Sequence, residues 1–143
     1  MRCSVTLPGI TTSAGSPTVM DLHHVSISVT DLERARHFYG TVLGLAECVR
    51  PPFDFPGAWY ELGDRQLHVI VHAPTRTLRG TTEIQPRDAH FALRVDDYDA
   101  TVTHLRAHGV DVLESPRNVT PWAQMYVTDP DGNVVELNVE RAG

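Results

Sequence analysis

HVSISVTDLERARHFYGTVLGL at residues 24–45 and HFALRVDDYDATVTHLRAHGV at residues 90–110 are two renderings of one pattern. In the first, His24 to Val29 alternates polar and apolar with the period of a half-buried strand. Asp31 follows as a helix N-cap, and Leu32, Ala35, Phe38, Val42 and Leu43 return at helical spacing until Gly44 stops the run. In the second, His90 to Val95 repeats the strand and Asp97 the cap. Tyr98, Thr101, Val102 and Leu105 repeat the stripe, and Gly109 the stop. The offset is 66 residues at the histidines and the aspartates and 65 at the glycines.

The duplication extends downstream. Trp59 to Leu62, a turn at Gly63-Asp64-Arg65 and a strand from Gln66 predict a hairpin. Met125 to Thr128, the Asp129-Pro130-Asp131-Gly132 turn and Asn133 to Val139 predict its copy. Shorter strands are predicted near 46–50 and 110–114. Each unit reads β-α-β-β-β, the first over about 20–74 and the second over about 86–140, joined by a linker at 75–85. Two copies are too few for a solenoid, so they must pair. The expected fold is α+β: one domain over 20–140, in which paired βαβββ modules form a cupped mixed sheet around a central site, helices outside. Residues 1–19 are rich in Pro, Gly, Ser and Thr and carry no apolar core, which reads as a flexible arm and not a signal peptide.

Composition narrows the function. Twelve Lys and Arg against eighteen Asp and Glu give a net charge of −6, which excludes the basic stripe of a nucleic-acid or anionic-membrane binder. No apolar run reaches the roughly 18 residues of a membrane span. Cys3 and Cys48 are too few for a disulfide framework or a thiolate zinc site, so a reducing cytoplasm is the expected compartment. Eight histidines in 143 residues are the unusual feature. Imidazole is the commonest metal ligand and the neutral-pH proton carrier.

Strand parity sorts those histidines. With Val25, Ile27 and Val29 under the helix, His24 faces the other way, and the same argument turns His90, Ala92 and Arg94 outward from Phe91 and Leu93. Parity puts His68 opposite Leu67 and Val69, with His72 on its face, and turns Glu136 away from Val135 and Leu137. His24 matches His90, and His68 matches Glu136 at an offset of 68, attributed here to a turn longer by two residues. Related by a pseudo-two-fold axis, these four converge. Three imidazoles and a carboxylate suit a divalent ion such as Zn, Ni, Fe or Mn and leave positions open for substrate. His23 points away from this face, and His37, His104 and His108 fall on solvated helix positions.

His23-His24-Val25 with Asp31-Leu32, Phe38-Tyr39 and Val42-Leu43-Gly44-Leu45 resembles the opening of the vicinal-oxygen-chelate superfamily. Asp129-Pro130-Asp131-Gly132-Asn133 with Glu136-Leu137 resembles its closing motif. That group includes glyoxalase I, extradiol dioxygenases, methylmalonyl-CoA epimerase, and fosfomycin and bleomycin resistance proteins. The resemblance implies metal ligands at His24, His68, His90 and Glu136, a homodimer, and a small-molecule substrate that chelates the ion through adjacent oxygens. It also implies that Glu136 serves as the base for a proton alpha to a chelated carbonyl. His68 departs from the family's usual Glu or Gln. From the four-ligand set placed by the repeat, the expected activity is a metal-dependent lyase or isomerase of glyoxalase type. An Fe(II) extradiol-type dioxygenase using His24, His90 and Glu136, or a ligand-sequestering resistance protein, are the alternatives. Phe53, Phe55, Trp59 and Trp122 are candidate pocket walls, His72 a candidate substrate contact, and Arg94 a candidate partner for an anionic group.

Overall fold

The computed structural model describes residue 15 and residues 17–141. Most of the expected N-terminal arm, with Cys3, lies outside the described residues; 17–19 are exposed and belong to no helix or strand.

The first module runs β1 (His24–Val29), α1 (Leu32–Arg36), a π-helical turn (His37–Val42), β2 (Glu47–Cys48), β3 (Gly57–Leu62) and β4 (Arg65–Val71). The second runs β5 (His90–Arg94), α2 (Tyr98–Ala107), β6 (Leu113–Ser115), β7 (Trp122–Thr128) and β8 (Val134–Glu140). Each forms a four-stranded mixed sheet, ordered β1-β4-β3-β2 and β5-β8-β7-β6, in which only β1/β4 and β5/β8 are parallel. This is the paired βαβββ architecture. Asp31 and Asp97 cap the helices by accepting from Arg34 N and Ala100 N, each at 2.8 Å. Gly44 and Gly109 end the helical segments at φ 71° and 72°, where a Cβ would be strained. No helix among the described residues is long and apolar enough to cross a membrane.

Register carries the duplication down to single residues. His24 pairs with Gln66 and Ser26 with His68; His90 pairs with Val134 and Ala92 with Glu136. His68 therefore stands to His24 as Glu136 stands to His90. Across the hairpins Trp59 faces His68, nine residues on, and Tyr126 faces Glu136, ten residues on. The offset of 68 thus comes from one extra residue in the second hairpin and one inserted upstream of β7, not from a turn longer by two.

One core serves both modules. Val29, Phe38, Tyr39, Leu67 and Val69 pack in the same cluster as Val102, Leu105, Met125, Val135 and Leu137. The turn Asp129 to Asn133 locks onto the first module. Tyr39 Oη donates to Asp129 Oδ2 at 2.7 Å, Thr30 N to Asp131 Oδ2 at 2.9 Å, and Asn133 Nδ2 to the Ser28 carbonyl at 3.0 Å. His104 is exposed, yet its Nε2 bonds the Val42 carbonyl at 2.7 Å, so it ties the two helical segments together and is not merely solvated.

Two buried tyrosines in this core should behave oppositely. Tyr39→Phe loses a hydrogen bond to a carboxylate and should cost about 1.5–3 kcal/mol in urea titrations. The Tyr60 hydroxyl is buried without a partner, so Tyr60→Phe should leave stability unchanged or raise it by up to about 1 kcal/mol. Burial, then Asp129, holds the Tyr39 phenol well above its usual 10, and burial pushes Tyr60 to about 12. The folded chain keeps these protons at pH values where the unfolded chain releases them. Stability should therefore fall as pH rises above 10, and the double Phe variant should flatten that slope.

Candidate metal centre

In the first module, β1 and β4 set His24 and His68 diagonally on one face, their rings stacked at 4.1 Å and 18°. Trp59, directly across from His68 on β3, stacks at 3.9 Å and 3°, so the imidazole is clasped between the two rings. The His68 Nε2–H donates to Gln66 Oε1 at 2.9 Å, which leaves Nδ1 with the lone pair. Burial, then His24, lowers the His68 pKa and keeps the ring in the neutral form that a metal needs. His23 is not detached from this group: its Nδ1 lies 2.8 Å from His24 Nδ1, and one proton must serve both.

The second module holds His90 and Glu136 in the same relation. His90 Nδ1–H donates to the Asp88 carbonyl at 2.8 Å, which aims Nε2 the other way and, in the neutral ring, puts the lone pair there. Nε2 faces Glu136 Oε2 at 3.4 Å. A neutral imidazole nitrogen and a carboxylate oxygen at this separation need a cation or a proton between them. Glu136 is 6% exposed, and its other oxygen, Oε1, accepts from Gln124 Nε2 at 2.8 Å and Asn138 Nδ2 at 3.2 Å. Tyr126 crosses His90 edge-on at 5.8 Å, its phenol held up by burial and by Glu136. The donor set suits a divalent ion: imidazole nitrogens beside a carboxylate, with outer hydrogen bonds fixing orientation.

The two pairs stand apart in the chain. Among the described residues no three His, Cys, Asp or Glu side chains come close enough to hold an ion together. The reason is strand direction. The lock at Asn133 places the end of β1 beside the start of β8, and β8 starts beside His90. Strands β1 and β5 consequently pass in opposite directions along a crevice of about 800 Å³ lined by both. His24 lies four residues, or roughly 13 Å, from Ser28, the part of β1 that neighbours the His90 end of the second sheet. Ligand bonds of about 2.0–2.2 Å do not span that gap.

The candidate pocket residues divide likewise. Phe53 lies 6.1 Å from Trp59 and 5.1 Å from Phe55, and the Arg50 guanidinium sits over both phenyl rings at 4.8 and 4.9 Å. These belong to the His68 side. Arg94 and Trp122 belong to the Glu136 side, 5.8 Å apart, and Arg94 reaches Glu140 at 4.0 Å. β4 ends at Val71 and His72 is exposed just beyond it, its N–H still bonding the Val29 carbonyl at 3.3 Å. The strand reading extended one residue too far, into the turn where Thr75 N bonds the His72 carbonyl. Gln66, Gln124 and Asp88 were missed as supports. Parity on β7 and β4 turns the two glutamines inward, whereas the Asp88 contact comes from its backbone and leaves no sequence signal.

Known proteins resemble the chain over this whole span. Residues 21–137 match the Glyoxalase/Bleomycin resistance protein/Dioxygenase superfamily. The uncharacterized protein YaeR of Escherichia coli (strain K12) is 32% identical over 122 residues, covering 81% of this chain and 93% of that one. A 2-epi-5-epi-valiolone epimerase from Actinomyces sp is 30% identical over 156 residues, covering 88% and 82%. The lactoylglutathione lyase of Escherichia coli O157:H7 is 27% identical over 127 residues, covering 85% and 94%. Among solved structures, a putative glyoxalase family protein from Bacillus anthracis superposes with a TM-score of 0.72 at 24% identity, over 88% of this chain and 99% of that one. With its duplicated βαβββ modules, its register-matched pairs and these likenesses, the chain belongs to the glyoxalase/bleomycin resistance protein/dioxygenase superfamily.

Proposed function

We propose that this protein is a divalent-metal-dependent lyase or isomerase of glyoxalase type, acting on a small substrate with adjacent oxygens. His24, His68, His90 and Glu136 would hold the ion, and the two pairs would meet across a homodimer. The observation that carries this reading is His90 Nε2 facing Glu136 Oε2 at 3.4 Å, with a register-matched histidine pair in the other module. The similarity to a lactoylglutathione lyase and an epimerase supports the reaction class.

A bound divalent ion supplies Lewis-acid polarisation of the substrate's oxygens. Glu136 takes and returns the proton at Oε2, the oxygen not engaged by the strand amides. Burial shields this carboxylate from water, so proton transfer stays with the substrate. Trp59, Phe53 and Phe55 supply an apolar wall on the side of the first pair. Elemental analysis of native protein should find about one Zn, Ni, Fe or Mn per centre, and dialysis against a chelator should abolish turnover of a 2-oxoaldehyde thiohemiacetal or related vicinal-oxygen substrate. A chain that stays metal-free in excess of all four ions overturns the reading.

One observation favours a second reading. His68 is clasped by Trp59 and His24 and tied to Gln66, which leaves His24, His90 and Glu136 as a two-histidine, one-carboxylate set typical of Fe(II) oxygenases. Oxygen uptake with a catechol after anaerobic iron loading supports the dioxygenase and overturns the lyase. Tight capture of an apolar ligand by metal-free protein, on the Phe53, Phe55 and Trp59 patch, instead supports a sequestering role.

A further inference from the structure

The two modules match in register, yet the neighbours of their inner pairs differ. Beside Tyr126 and Glu136 on the second sheet stands the pair Gln124 and Asn138; beside Trp59 and His68 on the first stands Gly57 and Ile70. Gln124 and Asn138 both donate to Glu136 Oε1, at 2.8 and 3.2 Å, while Oε2 faces His90. The Asn138 side chain is buried at 7% exposure, and its own Oδ1 has no partner. Turning that amide over would set oxygen against oxygen, so its present orientation serves the carboxylate and leaves a buried acceptor unsatisfied. The first module has no room for the same device. A Cβ on Gly57 would lie 2.6 Å from the Val69 carbonyl and 3.1 Å from Arg50 Nε.

We infer that Gln124 and Asn138 are positioning residues that saturate Oε1 of Glu136 and present Oε2 alone to the metal and to the migrating proton; this rests on the metal-dependent reading above. Two amide donors on one oxygen stop the carboxylate from swinging to bidentate ligation and leave a single, directed base. The His24 and His68 pair, lacking such donors, anchors the ion without sharing the proton chemistry. The duplication has thus specialised: one half holds, the other half reacts.

Co²⁺ alone is the probe, with a chelator competition for Kd and the visible absorption band for geometry. Gln124→Met and Asn138→Leu keep the bulk but remove the donors. Each should weaken Co²⁺ binding about 10–100-fold and alter the band, with one ion per centre retained. Ile70→Leu, at the mirrored position, should change neither. Thermal melts of the apo variants identify any that do not fold, and Gln124→Met, on a partly exposed side chain, keeps the test available if Asn138→Leu does not. Unchanged affinity and spectrum in a folded donor variant, or an equal change in Ile70→Leu, overturns this inference while leaving the metal reading intact. A wild-type chain that takes up no Co²⁺ overturns both.

Discussion

A His24→Ala/His68→Ala chain and a His90→Ala/Glu136→Gln chain should each bind no zinc alone and recover it when mixed. The expectation follows from the separation of the two pairs within one chain and their matching register. If each centre takes His24 and His68 from one copy and His90 and Glu136 from another, a mixed dimer holds one intact centre and one empty of ligands. Random reassortment makes about half the dimers mixed, so zinc should return to about a quarter of the wild-type content. Each double variant removes half of the ligand set, a loss beyond what outer hydrogen bonds restore. Exchange through mild denaturant, native mass spectrometry to count mixed dimers, and zinc analysis complete the experiment. Mixed dimers without zinc would show that the pairs do not meet across copies.

Asp129→Ala should be the most damaging substitution outside the site, costing about 3–4 kcal/mol, or roughly 10 °C in Tm for a chain of this size. Asp129 is 1% exposed and accepts four bonds: Tyr39 Oη at 2.7 Å, Asn133 Nδ2 at 2.8 Å, Asn133 N at 2.9 Å and Asp131 N at 3.0 Å. Truncation leaves these buried donors unpaired and releases the turn that joins the modules. Asp131→Ala, which frees only the exposed Thr30 contacts, should cost about 1 kcal/mol. Burial outweighs the four bonds and raises the Asp129 pKa above its ordinary 3.8. The folded state then holds this proton to higher pH than the unfolded state does. Its contribution to stability is greatest at low pH and declines as pH rises through the raised value. Asp129→Asn should remove that slope. A loss under 1 kcal/mol in Asp129→Ala urea midpoints would mean that the lock is dispensable.

Much of the architecture was legible in the chain. Period-2 alternation at His24 to Val29 and His90 to Arg94, caps at Asp31 and Asp97, and stops at Gly44 and Gly109 are local properties, and each appears where the residues dictate. The inward direction of Glu136 and His68 also follows from parity, because a strand side chain has only two faces to choose from. Element ends were less legible: His72 fell past β4, since alternation does not say where a ladder stops. The His104 bond to Val42 spans 62 residues and has no local signature.

The sequence by itself determined the duplication, the strand faces and the chemistry of the donor set, all of which depend on neighbours within a few residues. Only the tertiary structure decided which donors meet. His68 reaches His24, and Glu136 reaches His90, because parallel pairing of β1 with β4 and of β5 with β8 sets them diagonally. The two pairs stay apart because the Asp129 to Asn133 turn locks the modules with β1 and β5 running past each other in opposite directions. Strand direction across a long-range contact is a property of packing between distant segments, and no local period encodes it.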